Sequence, residues 1–192
     1  MIPADALLNA YASGWFPMAV GPREIRWYSP DPRGIIPLDT FHVPSRLARS
    51  LRARPFEIRI DTDFPAVIRA CAERPDPDGN WIDDEIIDSY CALHDQGFAH
   101  SVEAWRDDRL VGGLYGVAMR GAFFGESMFH RVTDASKAAL VALVERLRER
   151  DYVLLDTQWV TEHLLQFGAI EIPRRRYLRL LDRALAIDPV FR

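Results

Sequence analysis

The sequence predicts an α+β fold with a mixed sheet, and three observations carry the prediction. Residues 101–105, 110–119 and 122–129 read as strands joined by the short links "RDDR" and "RG", which favour antiparallel hairpins. Asp134 is then placed to cap a long helix running through Arg150, with Leu140, Val144 and Leu147 facing inward. An apolar strand closing on "LLDTQ" follows it.

The other elements follow in chain order. Leu7, Leu8 and Tyr11 have helical spacing until "SGWFPM" breaks it with Gly14 and Pro17. Prolines 22, 30, 32, 37 and 44 interrupt every later period, leaving "IRWYS" and "RGIIPLD" as short edge strands. Residues 1–40 therefore read as a small N-terminal lobe and residues 41–192 as the main domain. Ser45 is placed to cap a helix carrying Leu47 and Leu51, and "FEIRID" alternates like a half-buried strand. Asp63 caps the next helix, with Pro65 in its first turn. "RPDPDGNW" has loop chemistry; Asp83 then opens a helix carrying Ile86, Ile87, Tyr90 and Leu93, which Gly97 stops. Past "LLDTQ" come a helix from Thr161 to Phe167 ended by Gly168, a strand near 170–172, and a helix carrying Tyr177, Leu178 and Leu181. This order resembles the acetyltransferase-like (GNAT) fold, an analogy that bears on architecture and leaves activity open.

Composition narrows the class. With 48% hydrophobic and 27% charged residues, and no apolar run approaching the ~18 residues of a membrane span, the 192-residue chain reads as globular and free of membranes. Met1 to Met18 contains Asp5 and no basic region leading into an apolar stretch, so no secretory signal is expected and the location reads as cytoplasmic. Cys71 and Cys91 read as reduced helical thiols, and the five histidines show no metal spacing. A net charge of −4 opposes nonspecific coating of nucleic acid, although Arg46, Arg49, Arg52 and Arg54, and Arg174 to Arg176, form local basic groups that are either solvated faces or phosphate patches.

Two constellations carry chemistry. In "FFGESMF" Glu126 and Ser127 sit beside Gly125 inside an apolar strand, where a carboxylate needs partners and a glycine marks close approach. In "LLDTQ", strand geometry continued through Gln158 would put Asp156 and Gln158 on one face, with the carboxylate orienting the amide. Trp15, Trp27, Tyr28 and Trp81 lie in or beside loops, either packed or stacked on a nucleobase. No GxSxG, HExxH or P-loop pattern occurs. An acyl-CoA-dependent N-acyltransferase is the alternative on this fold. It would hold pyrophosphate on a glycine-rich turn before the long helix, and "HRVTDAS" there has no glycine.

Together "GWFPM", "WYSPDPRGIIPLD", "WIDDEIIDSYCALHDQGFAHSVEAW", "LVGGLYGV", "FFGESMF", "DASKAALVALV", "LLDTQWVTEHLLQFGA" and "EIPRRRYL" resemble the leucyl/phenylalanyl-tRNA protein transferase family over nearly the whole chain. The resemblance implies a small N-terminal lobe joined to a GNAT-like catalytic domain, and transfer of leucine or phenylalanine from aminoacyl-tRNA to an N-terminal Arg or Lys of acceptor proteins, marking them for degradation. It implies Asp156, Gln158 and Glu126 as catalytic residues. By the same resemblance Trp27 and Trp81 meet the terminal adenosine, and Leu114 and Phe123 line the amino-acid pocket; Ser127, beside Glu126 in the apolar strand, is a further substrate-binding candidate. No cofactor or metal is implied, and a monomer is expected. Two departures stand out: the chain begins close before "LLNAYASGWFP", which implies a reduced first lobe, and Leu114 replaces a familiar methionine in the pocket.

Overall fold

Proline and glycine placement decides how the first forty residues are used. The computed structural model describes residues 1–21, 24–73 and 80–192. Helix α1 (Ala4–Ala12) ends before Gly14, whose φ of +80° turns the chain. The expected loop after it is instead a strand, β1 (Phe16–Gly21), paired with β2 (Glu24–Tyr28) in an antiparallel ribbon with Phe16 opposite Tyr28. Pro17 is tolerated because a two-stranded ribbon leaves one side of each strand unpaired. Pro22 and residues 74–79 of "RPDPDGNW" lie outside the described residues.

Strand β3 (Arg33–Ile36) corrects the edge-strand expectation for "RGIIPLD". Four residues free of proline can donate on both sides, and β3 lies inside a seven-stranded sheet, antiparallel to β8 (Leu154–Gln158) and to β9 (Ile170–Ile172). The sheet order is β4-β5-β6-β7-β8-β3-β9, where β4 is Glu57–Ile60, β5 Ala99–Arg106, β6 Arg109–Met119 and β7 Ala122–His130. β5, β6 and β7 form the expected antiparallel meander. β7 and β8 are parallel, joined through helix α5 (Ala135–Glu149), so the sheet is mixed.

Helix ends follow local chemistry with two exceptions. Asp63 accepts from the Ala66 N–H at the start of α3 (Phe64–Ala72), and Asp83 accepts from the Ile86 N–H at the start of α4 (Asp84–Asp95). Ser45 does not cap: it is the first residue of α2 (Ser45–Arg52), after Pro44, where proline's fixed φ sets up the first turn. Asp134 stands at the N-cap of α5 in left-handed conformation, its carboxylate taken by Lys137 at 3.0 Å and by no helix N–H. The expected helix from Thr161 to Phe167 is a single turn, α6 (Glu162–Leu165), capped by Thr161; α7 (Arg174–Leu185) closes the regular structure.

Neighbouring residues on the strands feed opposite cores, as a two-residue repeat requires. Tyr115, Phe124 and Leu154 join a cluster with Leu7 and Tyr11 of α1, Val67 of α3, Tyr90 of α4 and Leu181 of α7. Leu114, Phe123 and Leu155 join another with Leu47 of α2 and Leu140 and Val144 of α5. Residues 1–40 thus share the core of residues 41–192 and supply one strand of their sheet. Among the described residues no helix is long and apolar enough to cross a membrane.

Candidate active site

The site arises where two parallel strands part. The last β7–β8 rung is Phe124 opposite Asp156; beyond it neither strand pairs with the other. On the β6 side the register jumps from Tyr115 opposite Ser127 to Gly116 opposite Gly125, so Glu126 is the extra residue of a bulge. On β8 the chain turns at Gln158, whose φ is +59°. Glu126 and Gln158 thus each lie two residues past the last shared rung. They meet across the gap, Gln158 Nε2 donating to Glu126 Oε1 at 3.4 Å.

Left-handed backbone at a non-glycine residue is unfavourable by roughly 1–2 kcal/mol and needs local support. Asp156 supplies it by accepting from the Gln158 backbone N–H at 2.9 Å. This corrects the expectation that Asp156 orients the Gln158 side chain on a shared face. Asp156 is fully buried, and its carboxylate takes Arg33 Nε at 3.0 Å, Arg33 Nη2 at 2.6 Å and the Tyr177 hydroxyl at 2.7 Å. Arg33, equally buried, also donates to the Gly14 carbonyl at 2.9 Å and lies over the Tyr177 and Phe16 rings. Burial opposes its charge, yet Asp156 raises the guanidinium above its ordinary range.

Among the described residues no cation forms an ion pair with Glu126, and the nearest influence of that kind is the charge of Arg33. The Tyr11 hydroxyl donates to Oε1 at 2.7 Å, and the Tyr90 hydroxyl, 3.4 Å from Oε2, is also in short contact with that of Tyr11. Burial drives the carboxyl up to about 8, with Asp156 adding repulsion and the Tyr11 bond opposing.

Both residues face a cavity of about 340 Å³. Leu114, Met128, Leu140, Leu143, Leu155 and Leu164 give it apolar walls, and Trp81 and Ser127 border it. Phe123 does not, a correction to the expected pocket lining: its ring is fully buried and stacks on Phe191 at 5.3 Å. Trp27 lies on the ribbon, 39% exposed and outside the cavity wall. Trp159 lines the cavity instead, edge-on to Phe16 at 5.2 Å. Among the described residues no three His, Cys, Asp or Glu side chains are grouped to hold a metal ion.

Sequence reasoning missed Arg33, Tyr11, Tyr90 and Tyr177 as parts of this site. A signal for Arg33 existed: it is a lone charge opening the apolar run "RGII", the pattern that marked Glu126 in "FFGESMF". The tyrosines carried none, since apolar helical spacing accounts for them equally well.

Comparison with known proteins follows the same line. A family model described as leucyl/phenylalanyl-tRNA protein transferase matches residues 35–182, and a model of that family's N-terminal domain matches residues 1–31. Curated proteins named leucyl/phenylalanyl-tRNA--protein transferase are similar at high coverage. That of Phenylobacterium zucineum is 60% identical over 98% of this chain and 86% of its own length. That of Akkermansia muciniphila is 56% identical over 94% and 95%, and that of Gloeobacter violaceus 55% over 98% and 96%. By sequence along nearly its whole length, the chain belongs to the leucyl/phenylalanyl-tRNA protein transferase family.

Proposed function

We propose that this protein transfers leucine or phenylalanine, with methionine as a further donor, from aminoacyl-tRNA to the N-terminal Arg or Lys of acceptor proteins, tagging them for N-degron-dependent proteolysis. One observation carries the reading: Glu126 and Gln158 meet at the wall of an apolar cavity lined by Leu114, Met128 and Leu155. Polar groups able to handle amines thus stand beside a pocket suited to an oily side chain.

In the reaction the acceptor α-amine attacks the ester carbonyl, a C–N bond forms, and the ribose oxygen leaves with a proton. An activated ester makes this downhill, so holding amine and carbonyl in contact can supply ~7 to 11 kcal/mol of the barrier. Gln158 is anchored through Nε2 by Glu126, which presents its carbonyl oxygen to the incoming amine. Glu126, near 8, matches the ordinary range of an α-amine, about 7.7–8.0, and so exchanges a proton with one at little cost. Asp156 acts through Gln158 and is a positioning residue, with Arg33 and Tyr177 fixing it. Trp81 and Trp27 serve the terminal adenosine and Ser127 the aminoacyl group.

In this reading residues 1–40 are the small lobe covering the aminoacyl end, residues 41–192 the acetyltransferase-like catalytic domain, and the protein works as a cytoplasmic monomer without a cofactor. Incubation with radiolabelled Leu-tRNA and peptides beginning with Arg, Lys or Ala tests it. Label is expected on the first two alone; label on all three would remove the acceptor specificity, and label on none the transfer itself. Asp156→Asn is expected to lower turnover far more than aminoacyl-tRNA affinity, and equal losses would move Asp156 into binding.

A further inference from the structure

The turn at Gln158 brings two consecutive side chains to one cavity. Along a straight strand Gln158 and Trp159 would point to opposite faces. The left-handed backbone at Gln158, φ +59°, breaks that alternation, and both residues line the cavity. Consecutive Cα atoms are about 3.8 Å apart, so the indole begins one residue from the amide that receives the acceptor amine.

Trp159 is also open to solvent, at 42% exposure. Two rings approach it crosswise, Phe16 at 5.2 Å and 87° and Tyr28 at 6.2 Å and 66°, so neither lies flat against the indole. Elsewhere arginines cover aromatic faces, as Arg33 covers Phe16 at 5.0 Å and Arg59 covers Trp105 at 4.6 Å. Among the described residues no arginine or lysine lies over Trp159.

The cavity wall offers an incoming cation little else. Among the described residues that line it Glu126 is the only acid, and its carboxyl already takes the Tyr11 hydroxyl and the Gln158 amide. Burial keeps that carboxyl protonated up to about pH 8. Asp156 is sealed against Arg33. An indole face, by contrast, attracts an ammonium or a guanidinium alike through its ring quadrupole.

We propose that Trp159 recognises the acceptor: with the α-amine held at Gln158, the basic side chain of the N-terminal Arg or Lys lies over the indole in a cation–π contact. The proposal rests on the aminoacyl transfer proposed above and assigns it an acceptor-specificity residue. That side chain branches from the carbon next to the attacking nitrogen, so seating one places the other beside Trp159. The contact is made equally before and during bond formation, so its effect belongs in the acceptor KM and leaves kcat alone.

The test uses Leu-tRNA and peptides beginning with Arg, Lys or citrulline, which has the shape of arginine without its charge. In Trp159→Leu the KM for the Arg and Lys peptides is expected to rise about 3-fold to 30-fold, the span of a cation–π contact from exposed to desolvated, with kcat and the KM for Leu-tRNA unchanged. The Arg-to-citrulline ratio of kcat/KM falls by the same factor. Trp159→Phe, with a weaker aromatic face, should lie between the two, and thermal melting checks that both variants fold. Glu162→Gln neutralises the exposed carboxylate three residues on and should change none of these constants. An equal loss for Arg and citrulline peptides would make Trp159 a contact of shape, and a raised KM for Leu-tRNA alone would make it a nucleobase platform. A loss in Glu162→Gln in place of Trp159→Leu would make the recognition an ion pair. Each of these overturns the proposal and leaves the transfer intact, whereas a native protein that labels no peptide would overturn the transfer and this inference with it.

Discussion

Glu126 is held as a neutral acid by its surroundings, and this makes its contribution to stability depend on pH. Its carboxyl rises from an ordinary value of 4.5 to about 8 chiefly through burial. Between those values the unfolded chain has lost a proton that the folded one keeps, so folding is favoured below about pH 4.5 and that advantage fades as pH climbs through 8. Glu126→Gln removes the titration. Urea unfolding should show the variant gaining on the native protein between pH 5 and pH 8.5; a constant difference across that span would mean that Glu126 is ionised throughout. The Arg33–Asp156 pair behaves differently, because both partners are sealed. Asp156→Ala leaves a buried guanidinium uncompensated and is expected to cost about 3–5 kcal/mol in equilibrium unfolding, against about 1 kcal/mol for a surface pair. At the cavity rim, Trp81→Ala should weaken an aminoacyl-adenosine fragment by ~1 to 3 kcal/mol, as for a lost stacking face. Unchanged fragment affinity in a folded variant would make Trp81 structural.

At the scale of elements, the site depends on how β7, β8 and β3 are fitted together. Gly34 on β3 faces Gln158, and a Cβ at residue 34 would stand 2.6 Å from the Trp159 carbonyl carbon and 2.9 Å from the Val160 nitrogen. Only glycine lets the chain leaving Gln158 cross so closely. Gly34→Ala is expected to destabilise by about 1–3 kcal/mol, as overpacking does, and to lower turnover by displacing Gln158. Normal turnover with full stability would show that the crossing can relax. Gly112 performs a similar service under α5, where a Cβ would meet that of Ala135 at 2.5 Å. The meander, α3, α4 and α5 were legible because the period holds over long stretches, supported at α3 and α4 by the aspartate caps. β1 and the interior position of β3 were not, because proline-rich segments have no readable period and their pairing is decided by partners distant in sequence.

The whole molecule is closed by its last residues. Phe191 stacks on His100 and Phe123, and Arg192 Nε donates to Asp61 Oδ2 at 2.8 Å. Burial opposes ionisation of Asp61, but His100 and Arg192 outweigh it and hold the carboxyl down to about 2. Phe191→Ala is expected to cost about 3–5 kcal/mol, the range for an aromatic removed from a core, read as a lower urea midpoint. The same closure joins the first residues to the site: Tyr11 of α1 reaches Glu126 of β7, and the Gly14 carbonyl reaches Arg33.

The sequence by itself determined the α+β class, the meander, the crossover helix and the choice of Glu126, Asp156 and Gln158 as the residues to watch. Each of these follows from local periodicity, or from the cost of putting a polar group in an apolar strand. Only the tertiary structure decided what those residues do to one another. Whether Asp156 faces a ligand or a buried arginine depends on a partner more than a hundred residues away, Arg33, and whether Glu126 is anionic or neutral depends chiefly on how the fold buries it. Burial and charge are properties of the space that folding encloses, which the order of residues along one strand does not contain.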